Sequence, residues 1–261
     1  MERDGEILLE GAFLAERARS AGLAIVDVAC VPAREVWARA TFAPDATASD
    51  LVRILPEREL AEIAGYPFHR GVLVRARRPE AISPGHALDA GLVAALKATA
   101  APKDPGILPA RSRVLVLPEL VDPENLGACF RNAAALGCGA VLIGPKVPDP
   151  FSRRVLRVSM GASLSLPWAR LSDDPQETFS ALRARGFRTA ACVLDRQAID
   201  LRRYEAPERL ALVLGNEASG LSAPWLDPCD DRLTLPMYGD TDSLNLATAA
   251  ALFLYALSGR Q

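Results

Sequence analysis

The sequence predicts an α/β protein with two domains. Apolar strands alternate with helices through the second half, a smaller mixture of both precedes them, and a proline-rich stretch stands between. Of 261 residues, half are hydrophobic and 24% charged. That is enough apolar material for two cores and too much for a disordered chain. The division falls in Lys97–Arg111, where three prolines and a glycine break any apolar period. The expected organisation is a domain over 1–96, a linker over 97–111 and a second domain over 112–261.

In the first half, residues 6–20 place Leu9, Ala12 and Phe13 at helical spacing, with Gly22 as a stop. Residues 23–31 are rich in strand formers. Residues 56–64 open on Pro56, suited to a helix start, and 71–76 form a short strand. The second half is more regular. A strand at 113–118 leads into a helix at 122–136, with Asp122 as cap and Pro123 in the first helical position. Further strands are expected at 139–144, 188–194, 210–215 and 232–237, and helices at 152–162 and 243–258. Such alternation argues for a largely parallel sheet covered on both faces.

Composition excludes several classes. The net charge of −2 gives no global field for nucleic acid, although 70–78 and 153–157 are locally basic. The most apolar run, Leu244–Leu257, is shorter than the roughly 20 residues a bilayer requires, and no secretion signal is expected from the first residues. Cys30, Cys129, Cys138, Cys192 and Cys229 are odd in number and widely spaced, and only His69 and His86 could join them. They read as buried thiols of a cytoplasmic protein, with no metal site.

Ligands of parallel sheets collect at the carboxyl ends of strands. Three segments here end strands: 122–137 (DPENLGACFRNAAALG), 214–222 (LGNEASGLS) and 235–251 (LPMYGDTDSLNLATAAA). None is a dinucleotide fingerprint, since the one GxG, at Gly137, follows a helix and Leu142 stands where its third glycine belongs. A phosphate loop and a serine-centred hydrolase elbow are absent too. Gly215, Gly220 and Gly239 leave room for close approach by a flat ligand, and Leu214, Leu235, Met237 and Leu244 supply apolar walls.

Together these segments resemble the motifs of the SpoU, or TrmH-type, RNA ribose 2′-O-methyltransferases of the SPOUT superfamily. Asp122, Pro123, Asn125, Gly127, Arg131, Asn132 and Ala133 match the first motif. Gly215, Glu217, Gly220 and Leu221 match the second, and Pro236, Met237, Gly239, Ser243, Leu244 and Asn245 the third. The likeness covers about 111–259. Weaker similarity in the first half is to the family's RNA-binding domain, which has a small ribosomal-protein fold. After Asn245 the run LAT departs from the family pattern, which should alter helix packing more than chemistry.

The resemblance implies S-adenosylmethionine as donor, a trefoil-knotted C-terminal domain and a homodimer with its site at the interface. It implies cofactor contacts from Leu214, Gly215, Leu235, Met237 and Leu244, and catalytic roles for Arg131, Asn125, Glu217, Ser243 and Asn245. A guanidinium with a pKa above about 12 does not serve as a base, so Arg131 is expected to grip phosphate and stabilise developing alkoxide charge. Glu217 is expected to orient Arg131 or a loop amide, Ser243 to contact substrate, to cap the last helix or to do both, and Asn245 to lie buried one turn into it. Arg70, Arg75, Arg77, Arg78, Arg153 and Arg154 become candidate RNA contacts. The substrate favoured is ribosomal RNA. The alternatives are a transfer-RNA ribose methyltransferase and a noncatalytic RNA-binding or ribosome-assembly protein on the same scaffold.

Overall fold

The computed structural model describes residues 5–43, 50–90, 112–239 and 243–258. Its chain divides into two compact units, one of residues 1–80 with 149–165 and the other of 81–148 with 166–261. The linker expected over 97–111 lies outside the described residues. The helices, numbered in chain order, are α1 (Ala12–Ser20), α2 (Glu35–Phe42), α3 (Glu57–Ala64), α4 (Pro123–Ala135), α5 (Arg153–Val158), α6 (Pro175–Ala184), α7 (Ala223–Leu226) and α8 (Leu246–Ser258). Residues 84–90 are also helical.

The first unit is built on a four-stranded sheet in the order β1 (Glu6–Glu10), β4 (Val72–Arg77), β2 (Ile25–Cys30), β3 (Val52–Ile54). β4 runs antiparallel to β1 and β2, and β3 is parallel to β2. Residues 6–20 therefore do not form one helix. Ile7, Leu8 and Leu9 are consecutive buried residues in a strand, and Gly11, at φ 90°, turns the chain into α1. An unbroken apolar run buried on both sides of a strand mimics part of a helical stripe, and the left-handed glycine resolves the ambiguity. α3 starts after Pro56 and carries Glu57 and Glu59 in its first turn, where the helix dipole favours carboxylates. α5 belongs to this unit although it follows much of the second unit in sequence. It is only six residues long, and Met160 at φ 53° ends the helical path expected to reach 162.

The second unit holds a seven-stranded, wholly parallel sheet. Its order is β7 (Trp168–Arg170), β6 (Ala140–Ile143), β5 (Ser112–Leu117), β10 (Arg209–Leu214), β8 (Arg188–Cys192), β11 (Asp231–Thr234), β9 (Ile199–Asp200). The central strands are continuous apolar runs because both faces are covered. β3, β7 and β9, of two or three residues each, and helices α2, α6 and α7 had no clear sequence signal. α4 begins as expected, with the Asp122 carboxylate accepting from the Glu124 and Asn125 N–H groups at 3.0 and 3.4 Å.

One buried charge holds the base of this sheet together. Arg113, 1% exposed, donates from Nε and Nη2 to the Leu257 carbonyl at 2.9 and 2.7 Å. Its Nη1 donates to the carbonyls of Ser112, Pro207 and Glu208. The guanidinium thus replaces its water shell with carbonyls, including one at the C-terminus of α8, where positive charge is favoured.

Candidate active site

At the carboxyl end of β10 the chain passes from Leu214 to Gly215 and into a tight loop closed by paired backbone bonds between Asn216 and Gly220, both 2.9 Å. A Cβ on Gly215 would stand 2.2 Å from the Gly220 carbonyl carbon, so only glycine permits this closure. The Asn216 side chain braces the loop, accepting from Ala218 N–H at 2.8 Å and donating to the Glu119 carbonyl at 3.2 Å.

Beside the loop lies a cavity of about 380 Å³. Leu214, Gly215, Leu235, Met237 and Leu244 all line it, as do Glu217 and Ser243. Cys192, Val193 and Leu194 at the end of β8, with Ala249 and Phe253 of α8, line it too, beside loop residues 216–221 and Leu246. None of these five was singled out as a site residue in the sequence, where Cys192 reads as a buried thiol and the rest as ordinary apolar residues of a strand and a helix. The only available signal was position, because a neighbouring parallel strand must end on the same side of the sheet. Cys192 is half-buried rather than fully enclosed, and its thiol is pushed well above the ordinary range by burial.

The three motifs meet in one hydrogen-bonded chain. Asn125 Nδ2 donates to Glu217 Oε1 at 2.6 Å, and Asn245 Nδ2 donates to Asn125 Oδ1 at 2.8 Å. Asn245 Oδ1 accepts from the Ala247 and Thr248 N–H groups at 3.0 and 3.2 Å. Both amide groups are fixed in orientation, and the acceptor at the end of the chain is a carboxylate on the cavity wall. Two expectations change here. Asn245, not Ser243, caps α8, and Asn245 is exposed rather than buried within the helix. A helix starting at Leu246 leaves the residue before it as the natural cap.

Arg131 lies on an exposed face of α4, and its guanidinium makes no hydrogen bond or ion pair among the described residues. It does not line the cavity, and Glu217 binds Asn125 instead of orienting it. The next residue, Asn132, donates to the Ala247 carbonyl at 2.9 Å and anchors α4 to α8. The structure thus brings Asn125, Glu217 and Asn245 together, with Ser243 on the cavity wall.

The candidate RNA contacts belong to the first unit, and most hold carboxylates there. Arg75 pairs with Asp27 and with Glu6 (3.4 Å), and Arg77 with Glu6 (3.3 Å). Arg78 grips Asp149 through two bonds of 2.7 and 2.8 Å and lies over Phe151. Arg153 donates to buried Glu10 at 2.6 Å and stacks on Tyr66. Arg70 and Arg154 are exposed. The basic runs are therefore largely internal ion pairs, invisible to a count of charge along the chain.

The structure is an α/β protein whose parallel sheet ends at a cavity with a polar, hydrogen-bonded wall, and its motif spacing assigns the class. The chain belongs to the SpoU rRNA Methylase family, whose family model matches residues 112–255. It is 40% identical over 200 residues to an uncharacterised tRNA/rRNA methyltransferase of Mycobacterium bovis, a match covering 75% of this chain and 62% of that protein. The chain thus spans about six tenths of that relative's length. A 23S rRNA (guanosine-2′-O-)-methyltransferase of Acinetobacter baylyi is 30% identical over 197 residues, 75% of this chain and 73% of its own. The fold matches an rRNA methyltransferase from Sinorhizobium meliloti with a TM-score of 0.76, at 23% identity, over 97% of this chain and 87% of that one.

Proposed function

We propose that this protein methylates the 2′-hydroxyl of a ribose in RNA, with S-adenosylmethionine as donor and ribosomal RNA as substrate. One observation carries the reading: the Glu217–Asn125–Asn245 chain, which joins all three motifs beside a cavity lined by the five expected cofactor residues. The relative named as a 23S rRNA (guanosine-2′-O-)-methyltransferase supports the choice of ribosomal RNA.

The cavity fits the donor. Its volume falls in the range of small-molecule sites, its walls are chiefly aliphatic, and the absence of a side chain at Gly215 keeps the closed loop's backbone at the wall. Leu214, Leu235, Met237 and Leu244 would pack on the adenine, and backbone groups around Gly215 would bond it. Bound there, S-adenosylmethionine supplies a methyl group carried on a positive sulfur. The residues of this chain then orient the ribose. Asn125, locked on both sides, keeps the Glu217 carboxylate beside the cavity as an acceptor for the hydroxyl. Arg131 has its whole donor fork available for phosphate and for the oxygen as negative charge develops. Such orientation can supply on the order of 7–11 kcal/mol of the barrier.

The same reading includes a second copy of the chain. Leu252 and Tyr255 leave part of α8 exposed, at 42% and 73%, as an apolar face for its partner. An enzyme of ribosomal RNA would work in the cytoplasm. No helix among the described residues is long and apolar enough to cross a membrane.

The test uses labelled S-adenosylmethionine and total RNA from cells lacking the gene. Alkali cleaves through a free 2′-hydroxyl, so ribose methylation leaves label in alkali-stable dinucleotides of ribosomal size. Label in transfer RNA would move the substrate assignment. Label only in mononucleotides would mean base methylation and overturn the reading.

A further inference from the structure

Tyr238 is exposed to 80% although it directly follows Met237 on the cavity wall. It is not loosely held. Arg202 Nη1 donates to its hydroxyl at 3.4 Å, and Arg202 is itself clamped on Asp200, with Nε 3.0 Å from both carboxylate oxygens and Nη2 2.5 Å from one. Asp200 is fixed in turn, since its strand pairs with β11 at Thr234, four residues before Tyr238. Bonding to the Arg202 guanidinium, with Arg203 contributing, holds the Asp200 carboxyl down at about 2. The arrangement tethers an aromatic ring by its polar tip and leaves most of its surface to solvent. Leu194, 66% exposed on the wall of the cavity that Met237 also lines, adds apolar surface. Arg203 is exposed, and its guanidinium makes no hydrogen bond or close ion pair among the described residues.

A tethered, open aromatic ring, with an exposed guanidinium one residue along from the arginine that tethers it, is suited to an unstacked base and its phosphate. We propose that Tyr238 stacks against a base of the RNA substrate at the mouth of the cavity, with Arg203 contacting an adjacent phosphate. The inference rests on the RNA-methylating reading above. A ribose brought to the cavity leaves its helical stack, and its base or a neighbour needs a new partner. A tyrosine ring accepts any base, so it seats the nucleotide without itself reading sequence.

The experiment compares the full-length wild type with Tyr238→Ala, Tyr238→Phe, Tyr238→Trp and Arg203→Ala on deproteinised ribosomal RNA. It measures kcat and KM for RNA, RNA affinity against salt, and S-adenosylmethionine affinity by calorimetry. For Tyr238→Ala, the RNA KM should rise roughly ten-fold. Its kcat, salt slope and donor affinity should stay near wild type. Tyr238→Phe and Tyr238→Trp should recover most of the lost KM, because the ring makes the stack and the hydroxyl only tethers it. Arg203→Ala should instead flatten the salt slope by about one ion. An unchanged KM in Tyr238→Ala, or a phenylalanine variant as impaired as alanine, would overturn the stacking role. A wild type that binds the donor and transfers no methyl to RNA would overturn the reading beneath it, and is visible without any variant.

Discussion

Asn125 works as a two-sided adaptor. Its carbonyl oxygen accepts from Asn245 and its amide nitrogen donates to Glu217, so neither acid nor amine can replace it without a conflict. Asn125→Asp preserves shape and tests this directly. It sets a second carboxyl against Glu217, and repulsion raises the pKa of the pair, as in other close carboxyl dyads. At neutral pH methyl transfer should fall by about two orders of magnitude. As pH drops below the raised value, one shared proton restores the hydrogen bond and activity should partly return. A pH–rate profile checks it, and a flat profile would remove the adaptor role. At this scale the residue types were legible in the sequence, because the motifs name them. Their partners were not. Asn125 and Glu217 lie 92 positions apart, and Asn125 and Asn245 lie 120 apart.

Elements are coupled by a few polar ties. Arg113 links the start of β5 to the end of α8 and to the carbonyls before β10. Arg113→Met would leave buried carbonyls unpaired and should cost about 3–5 kcal/mol, read as a lower midpoint in urea unfolding. A second tie joins β8 to β11. Arg188 donates to Asp231 at 2.5 and 2.8 Å, and Tyr204 adds a bond of 2.7 Å. Arg188 chiefly, with Tyr204 assisting, holds the Asp231 carboxyl below its ordinary range. A depressed folded value means stability that is present above the unfolded pKa of about 3.9 and lost as pH falls through the folded one. Asp231→Asn should therefore be less stable than wild type at pH 7. The gap should close on acidification below about pH 4, which unfolding midpoints at several pH values measure. Long elements were legible from periodicity, apart from α2 and α6. β9, two residues long, and β3 and β7, of three, exist only because longer neighbours offer them backbone partners.

For the molecule as a whole, the proposed dimer makes a prediction of its own. Tyr255→Asp places a charge on the exposed apolar face of α8. Sedimentation should then give the mass of one chain in place of two, with the helix content unchanged. Wild type running as a single chain would remove the dimer from the proposal while leaving the cavity intact.

The sequence by itself determined an α/β fold in two parts, an apolar parallel sheet, the capped start of α4 and some of the residues that line the cavity. These follow from local rules of strand and helix pattern, capping and short motifs. Only the tertiary structure decided that residues 6–10 are a strand, that 149–165 joins the first unit, that Asn245 caps α8, and that Arg75, Arg77, Arg78 and Arg153 spend their charge on internal carboxylates. All but the local cap at Asn245 depend on a partner far along the chain. Periodicity carries no information about such a partner until strand pairing and burial bring the two residues together.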